Sequence, residues 1–98
     1  MTEKEYNLAL EYITKKSEQD KDAKITNEMK LSFYGYFKQI TVGPCNVPAP
    51  SRLKVVEKAK WDAWSKLKNM KKEDAMKGYI QMVNKVNPKW RTFVPSKL

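Results

Sequence analysis

The sequence predicts an all-α fold, a bundle of four helices. Four segments place apolar residues at the 3.6-residue period, no segment sustains the two-residue alternation of a half-buried strand, and a stretch rich in Pro and Gly divides the second helical segment from the third. With 98 residues the chain suffices for one small core. The expected organisation is a helical domain over residues 1–87 and an extended tail over 88–98.

The first helix opens at Thr2 with Glu5 three residues on, a capping-box spacing. Tyr6, Ala9, Leu10 and Ile13 then define one face, and the pattern dissolves in the polar stretch Ser17–Lys24. The second helix runs from about Thr26 to Thr41. Leu31, Tyr34, Phe37 and Thr41, flanked by Phe33 and Ile40, form its expected inner face. Gly43-Pro44 stops it, and Pro44, Pro48 and Pro50 make residues 43–51 a loop. A third helix is expected from Ser51 or Arg52 to Leu67, its inner face Val56, Ala59, Ala63, Trp64 and Leu67, followed by a break at Asn69-Met70. The fourth spans Lys72–Val86. Ala75, Met76, Tyr79, Ile80, Val83 and Val86 sit at clean helical spacing, Glu73-Asp74 favours the first turn electrostatically, and Pro88 ends the run.

Composition narrows the chemistry. The chain contains no His, which removes Ser-His-Asp and Cys-His catalysis and any His-ligated metal. A single cysteine, Cys45, cannot form an internal disulfide and fits a reducing compartment. Three scattered glycines build no phosphate loop, and no apolar run reaches the ~20 residues of a membrane span. The first residues, Met-Thr-Glu-Lys-Glu-Tyr, do not resemble a secretory signal. No nucleophile–base pair, metal set or cofactor loop is visible, so the expectation is a protein that is not an enzyme and holds neither metal nor cofactor. Twenty Lys and Arg against 11 Asp and Glu give a net charge of +9. Residues 1–22 carry 4 basic and 6 acidic groups, whereas residues 23–98 carry 16 and 5, net +11. Such a balance points to an anionic partner: nucleic acid, a membrane surface or a phosphorylated ligand.

Candidate binding residues lie on three helices. Tyr34 and Lys38 are four apart, with Phe37 beside them, and so share one surface of the second helix. A ring, a phenol and an ammonium together suit a phosphorylated aromatic ligand such as a nucleotide. The same spacing equally suits core aromatics beside a solvated lysine. Lys60 and Trp64, with Trp61 between them, repeat the theme and the ambiguity on the third helix. Tyr79 lies on the apolar stripe of the fourth.

The run Tyr34-Gly35-Tyr36-Phe37-Lys38-Gln39-Ile40-Thr41-Val42-Gly43 resembles the Tyr-x-x-Tyr-Lys-Gln-Ala-Thr-x-Gly signature of acyl-CoA-binding proteins. Lys58-Ala59-Lys60-Trp61-Asp62-Ala63-Trp64 is similar to that family's second signature and Lys72-Glu73-Asp74-Ala75-Met76-x-x-Tyr79 to its third, at matching intervals over about residues 3–87. The resemblance implies an up-down-down-up order of the four helices and a monomer that binds one long-chain fatty acyl-CoA as carrier and buffer. It implies that Tyr34, Lys38 and Lys60 gather round the ribose 3′-phosphate, that Phe37 contacts the adenine, and that Tyr79 approaches the pantetheine–acyl part. The acyl chain is then expected in a groove between helices near Leu31 and Met29.

The sequence also departs from the family pattern. Phe37 stands where a tyrosine is usual, and Thr14 falls where the family often has a lysine that contacts coenzyme A, for which Lys15 or Lys16 could substitute. The connection over residues 17–25 is longer than in short family members. The chain ends Ser96-Lys97-Leu98, the consensus of the peroxisomal import address, also read by glycosomes. Expected partners are thus fatty acyl-CoA, enzymes that use it and a peroxisomal import receptor, with no nucleic acid and no stable membrane insertion. The rival readings are a nucleic-acid-binding bundle, a protein-interaction module and, for location, the cytoplasm.

Overall fold

The computed structural model describes residues 2–19 and 25–90, and of residues 16–19 the backbone alone. Four helices follow in order: α1 (Thr2–Gln19), α2 (Asn27–Thr41), α3 (Val55–Ser65) and α4 (Lys72–Val86). No strand occurs among the described residues. The mutual packing gives the directions. Tyr34 meets Lys60, Lys38 meets Trp64 and Gln39 meets Lys68, so α2 and α3 run parallel. Tyr6 meets Tyr79 and Tyr12 meets Asn87, so α1 and α4 also run parallel. Phe33 packs on Tyr79 whereas Gln39 reaches Met70, which sets α2 against α4. The bundle is therefore up-down-down-up. The long connection between α2 and α3 is the return path that two parallel neighbours require.

α1 continues to Gln19, past the point where its apolar pattern dissolves. It starts at Thr2 itself, which places the cap position on residue 1, outside the described residues. Tyr6, Ala9 and Ile13 are buried as expected, Tyr12 joins them, and Leu10 is only half-buried. α2 is capped by the Thr26 hydroxyl, which accepts from the Met29 N–H at 3.1 Å. Its inner face differs from the expected one. Phe33, Gly35, Gln39 and Ile40 are buried, whereas Leu31 and Tyr34 are half-buried and Phe37 and Thr41 are exposed. The reason is that α2 packs against both α3 and α4 and so buries two strips. One needs a glycine: a Cβ on Gly35 would stand 2.5 Å from the Ala63 carbonyl oxygen, so the α2 and α3 backbones touch there. On α4, Gly78 leaves room for the Tyr36 ring, 2.6 Å from where its Cβ would be.

α3 is shorter than expected at both ends. Residues 51–54 form a turn in which the Leu53 N–H donates to Ser51 Oγ and the Lys54 N–H to the Ser51 carbonyl. Val56, expected on the inner face, is 61% exposed, because the residues that α3 buries, Ala63 and Trp64, lie near its C-terminal end, two turns beyond Val56. α4 matches its expected span and face, with Val86 half-buried at its end.

The extended tail expected from residue 88 is not what residues 88–90 form. Asn87 ends α4 by donating to the Tyr12 hydroxyl at 3.1 Å while its own Oδ1 accepts from the Lys89 N–H. The chain then turns and drives Trp90 into the core at 0% exposure, its indole N–H on Asn84 Oδ1. The packed chain thus reaches Trp90, and residues 91–98, with Ser96-Lys97-Leu98, lie outside the described residues. Trp90 closes the end of the α1–α4 pair. Trp90→Ala is expected to cost about 3–5 kcal/mol in chemical denaturation, the scale for a large aromatic removed from a core. A loss below about 1 kcal/mol would mean that the chain beyond Asn87 does not pack.

Candidate functional site

α1 and α2 run antiparallel and each packs on α4 rather than on the other, which leaves a cleft of about 440 Å³ between them, floored by α4. Leu10, Ile13 and Thr14 form the α1 wall. Lys30, Phe33, Tyr34 and Phe37 form the α2 wall, Ile25 closes one end, and Tyr79 lies on the floor. Residues 30, 33, 34 and 37 repeat at three and four, which lays them along one ridge of α2. The lining is mostly apolar, and Thr14 turns its hydroxyl onto the Leu10 carbonyl at 2.8 Å.

Tyr34 belongs to two hollows at once. Its other side faces a second one of about 320 Å³ between α2, α3 and the loop, lined also by Val47, Pro48, Lys60, Trp61 and Trp64. Two indoles build this hollow. The Trp64 N–H donates to the Gly43 carbonyl and the Trp61 N–H to the Val47 carbonyl, both at 2.8 Å, so the proline-rich loop is latched onto α3. The left-handed Gly43 (φ 107°) turns the chain from α2 into that loop. Each ring face that remains carries a cation. Lys38 Nζ stands 4.9 Å above the Trp64 ring and Lys60 Nζ 5.5 Å above Tyr34. Such contacts are worth roughly 0.5–1 kcal/mol at exposed sites and hold a flexible ammonium over one spot. Lys58 caps Trp61 likewise but is tied to Asp62 at 2.7 Å. Among the described residues no carboxylate comes within ion-pair range of Lys30, Lys38 or Lys60. Their charge is available to a ligand.

The floor is neutral. Tyr79 is 2% exposed, its ring edge-on to Tyr6 at 5.2 Å and tilted against Phe33 at 4.9 Å. Burial, with the neighbouring Tyr6 phenol adding to it, pushes the Tyr79 hydroxyl well above its ordinary range. Burial raises Tyr6 too, and among the described residues the Tyr6 hydroxyl has no hydrogen-bond partner.

Of the residues singled out from sequence, Tyr34, Phe37 and Tyr79 line the cleft, Lys60 lines the second hollow, and Lys38 stands over Trp64 in that hollow's wall. Two do not join them. Leu31 points to a hollow between α2 and α3 beside Ala59, Asp62 and Ala63, since it lies one residue, about 100° round the helix, from Lys30 on the cleft ridge. Met29 packs against the core cluster instead. Thr14 reaches the cleft; Lys15 is not among its lining, and the side chain of Lys16 lies outside the described ones. Sequence reasoning missed Ile25, Lys30 and Phe33 as site residues, and took Leu10 and Ile13 for core alone. The signal was the helical spacing of Lys30 to Tyr34 and Phe37, legible once one of them is assigned. The arrangement can hold an elongated amphipathic anion, with phosphate at the lysines, a flat ring on Phe37 and an apolar chain in the cleft.

The sequence profile of the family described as "Acyl CoA binding protein" matches residues 3–83. "Acyl-CoA-binding domain-containing protein 1" of Arabidopsis thaliana is 48% identical over 67 residues, 68% of this chain and 20% of that protein. "Enoyl-CoA delta isomerase 2" of Homo sapiens is 45% identical over 62 residues, 63% of this chain and 16% of that protein. The chain thus spans a small part of the length of these relatives. The solution structure of acyl CoA binding protein from Babesia bovis superposes with a TM-score of 0.78 at 36% identity, covering 93% of this chain and 99% of that one.

The buried phenols generate a pH dependence. Their folded-state values lie above the ordinary 10.0, so their contribution to stability is complete below pH 10 and is lost as pH rises beyond it. Thermal unfolding midpoints are expected to fall above about pH 10, and less steeply in Tyr6→Phe. At neutral pH the same variant is expected to be as stable as the parent or up to about 1–2 kcal/mol more stable, since it removes an unpartnered buried hydroxyl. A clear destabilisation would show that the hydroxyl is satisfied in solution.

Proposed function

Because the chain belongs to the acyl-CoA-binding protein family, we propose that it is a non-catalytic carrier and buffer of long-chain fatty acyl-CoA, one per chain, held in the α1–α2 cleft. The observation that carries this reading is the position of Tyr34, one face on an apolar cleft and the other under the uncompensated Lys60. An ester with a phosphorylated head and a hydrocarbon tail needs that adjacency. Lys38, Lys60 and the Tyr34 hydroxyl take the ribose 3′-phosphate through charge-assisted hydrogen bonds, worth roughly 1.5–3 kcal/mol each. Phe37, exposed at the cleft rim, stacks on the adenine. The acyl chain lies on Phe33, Leu10, Ile13 and Ile25, each buried methylene contributing up to ~0.8 kcal/mol. Tyr79 supplies a neutral floor for the pantetheine–acyl junction. A chain without His, whose phenols beside the cleft are held protonated, suits storage of a thioester better than its cleavage.

The proposal extends to state and place. The protein acts as a monomer, and Ser96-Lys97-Leu98 addresses it to peroxisomes when it stands as a free C-terminus. Fusing residues 91–98 to the end of a fluorescent protein is expected to give punctate peroxisomal fluorescence, abolished by deleting the tripeptide. Diffuse fluorescence from the intact fusion would count against the address.

Calorimetric titration tests the ligand. Palmitoyl-CoA is expected to bind one-to-one and far more tightly than free CoA or palmitate. Lys38→Ala and Lys60→Ala are each expected to weaken it by roughly tenfold or more, the equivalent of one lost charge-assisted bond. Both variants should stay folded and lose no more than the roughly 0.5–1 kcal/mol of one cation–π contact, because neither lysine is buried. Unchanged affinity in both would overturn the phosphate assignment. Retention of nucleic acid with steep salt dependence, and no palmitoyl-CoA binding, would favour the nucleic-acid reading.

A further inference from the structure

The turn into α3 carries an apolar surface that neither the core nor the cleft uses. Leu53 is 91% exposed, Val55 73% and Val56 61%. Single exposed aliphatics are ordinary, but three within four positions form a patch. Exposure of nine-tenths means that almost nothing surrounds the Leu53 side chain, so the patch is a convex knob and not a groove. The knob is held in shape: the Leu53 and Lys54 N–H groups are bonded back to Ser51, and the loop leading to it is latched by Trp61 on Val47.

Its surroundings are cationic. Arg52 and Lys54 lie beside the knob with Glu57 the nearest acid in sequence, Lys58 is paired with Asp62, and the whole chain carries a net +9. Arg52 and Lys54 flank Leu53 directly and both are exposed. We propose that this knob docks the protein on anionic lipid bilayers, with Leu53, Val55 and Val56 entering the interfacial layer and Arg52 and Lys54 meeting the headgroups. Aliphatic side chains ringed by cations match such a surface in both polarity and charge. A fluid interface accepts a convex knob without needing a complementary pocket, whereas a protein partner would have to supply one. Nucleic acid would be better served by aromatic rings than by leucine and valine between the basic groups. The contact is peripheral, since among the described residues no helix is long and apolar enough to cross a membrane.

The knob borders the proposed ligand site without belonging to it. Val56 and Lys60 lie four apart on one face of α3, so docking would bring the lysine end of the site to the bilayer surface. The inference rests on exposure and charge and stands independently of the ligand.

Co-sedimentation with vesicles tests it. The full chain is expected to pellet with vesicles of mixed phosphatidylcholine and phosphatidylserine, to stay in the supernatant with phosphatidylcholine alone, and to be released by raised salt. Leu53→Glu combined with Val55→Glu is expected to lower the partition coefficient by roughly tenfold or more, because two inserting side chains become charged. Palmitoyl-CoA affinity and the circular dichroism spectrum should be unchanged, which separates this result from misfolding or a damaged ligand site. Arg52→Gln combined with Lys54→Gln is expected to weaken binding to the anionic vesicles as well. A wild-type chain that ignores anionic vesicles, or a Leu53/Val55 variant that pellets like the parent, would overturn the proposal. Equal binding to both vesicle types would overturn its charge component.

Discussion

Gln39 sits at 1% exposure on α2, and its amide nitrogen donates to the Lys68 carbonyl at 3.0 Å and the Met70 carbonyl at 2.9 Å. Both acceptors belong to the turn between α3 and α4, where Lys68 adopts a left-handed backbone (φ 53°). One buried side chain therefore satisfies two carbonyls that a tight turn would otherwise leave unpaired, and it does so from the helix against which α3 and α4 both pack. A buried amide is costly unless it is bonded, so the turn has one strongly preferred place along α2. That place fixes the height of α3, which puts Lys60 over Tyr34, and the height of α4, which puts Tyr79 beneath Phe33. The site is assembled by this registration more than by any contact within it. Among the described residues the amide oxygen, Oε1, has no partner, a desolvation cost that the two donated bonds offset.

The aromatic residues follow a consistent division of labour. Buried rings meet edge to face or tilted, as Tyr79 does with Tyr6 and Phe33, and make a stiff apolar floor. The two α3 indoles turn their N–H groups inward onto the loop and their faces outward under lysines. The loop thereby gains the order that its prolines alone would not supply, and Lys38 is pre-positioned before any ligand arrives. Pre-positioning matters for a binding protein, because a long lysine side chain loses rotamer freedom when it grips a phosphate. Part of that loss is already met by the ring beneath it.

Much of the fold was legible in one dimension. α4 shows its span and face plainly because it buries one continuous stripe against α1 and α2, and periodicity measures such a stripe. α2 was legible as a helix but not as to its face: with a neighbour on each side, its buried residues spread over two strips, and Leu31, Tyr34 and Phe37 fall between or beside them. α3 misled in the other way. It buries a narrow seam at Ala63 and Trp64, so apolar residues at its start, such as Val56, look internal in sequence and stand in solvent. Trp90 was illegible for a different reason. Pro88 signals the end of a helix, yet nothing local says that the chain folds back, because its partners Asn84 and the α1–α4 core are assembled only when α1 and α4 lie parallel.

The sequence by itself determined the fold class, the helix count, the basic character and, through three ordered motifs, the family. These follow from local periodicity, breaker residues and spacing, all of which survive without tertiary contacts. Only the tertiary structure decided which residues share a cavity. Tyr34 joins two hollows, Leu31 and Met29 turn away from the cleft, and Lys30 and Ile25 enter it. The physical reason is helical phase: one residue along an α-helix rotates a side chain by about 100°, so neighbours in sequence face different partners. Which phase faces which neighbour was settled by a glycine that lets two backbones touch and a glutamine that sets their height.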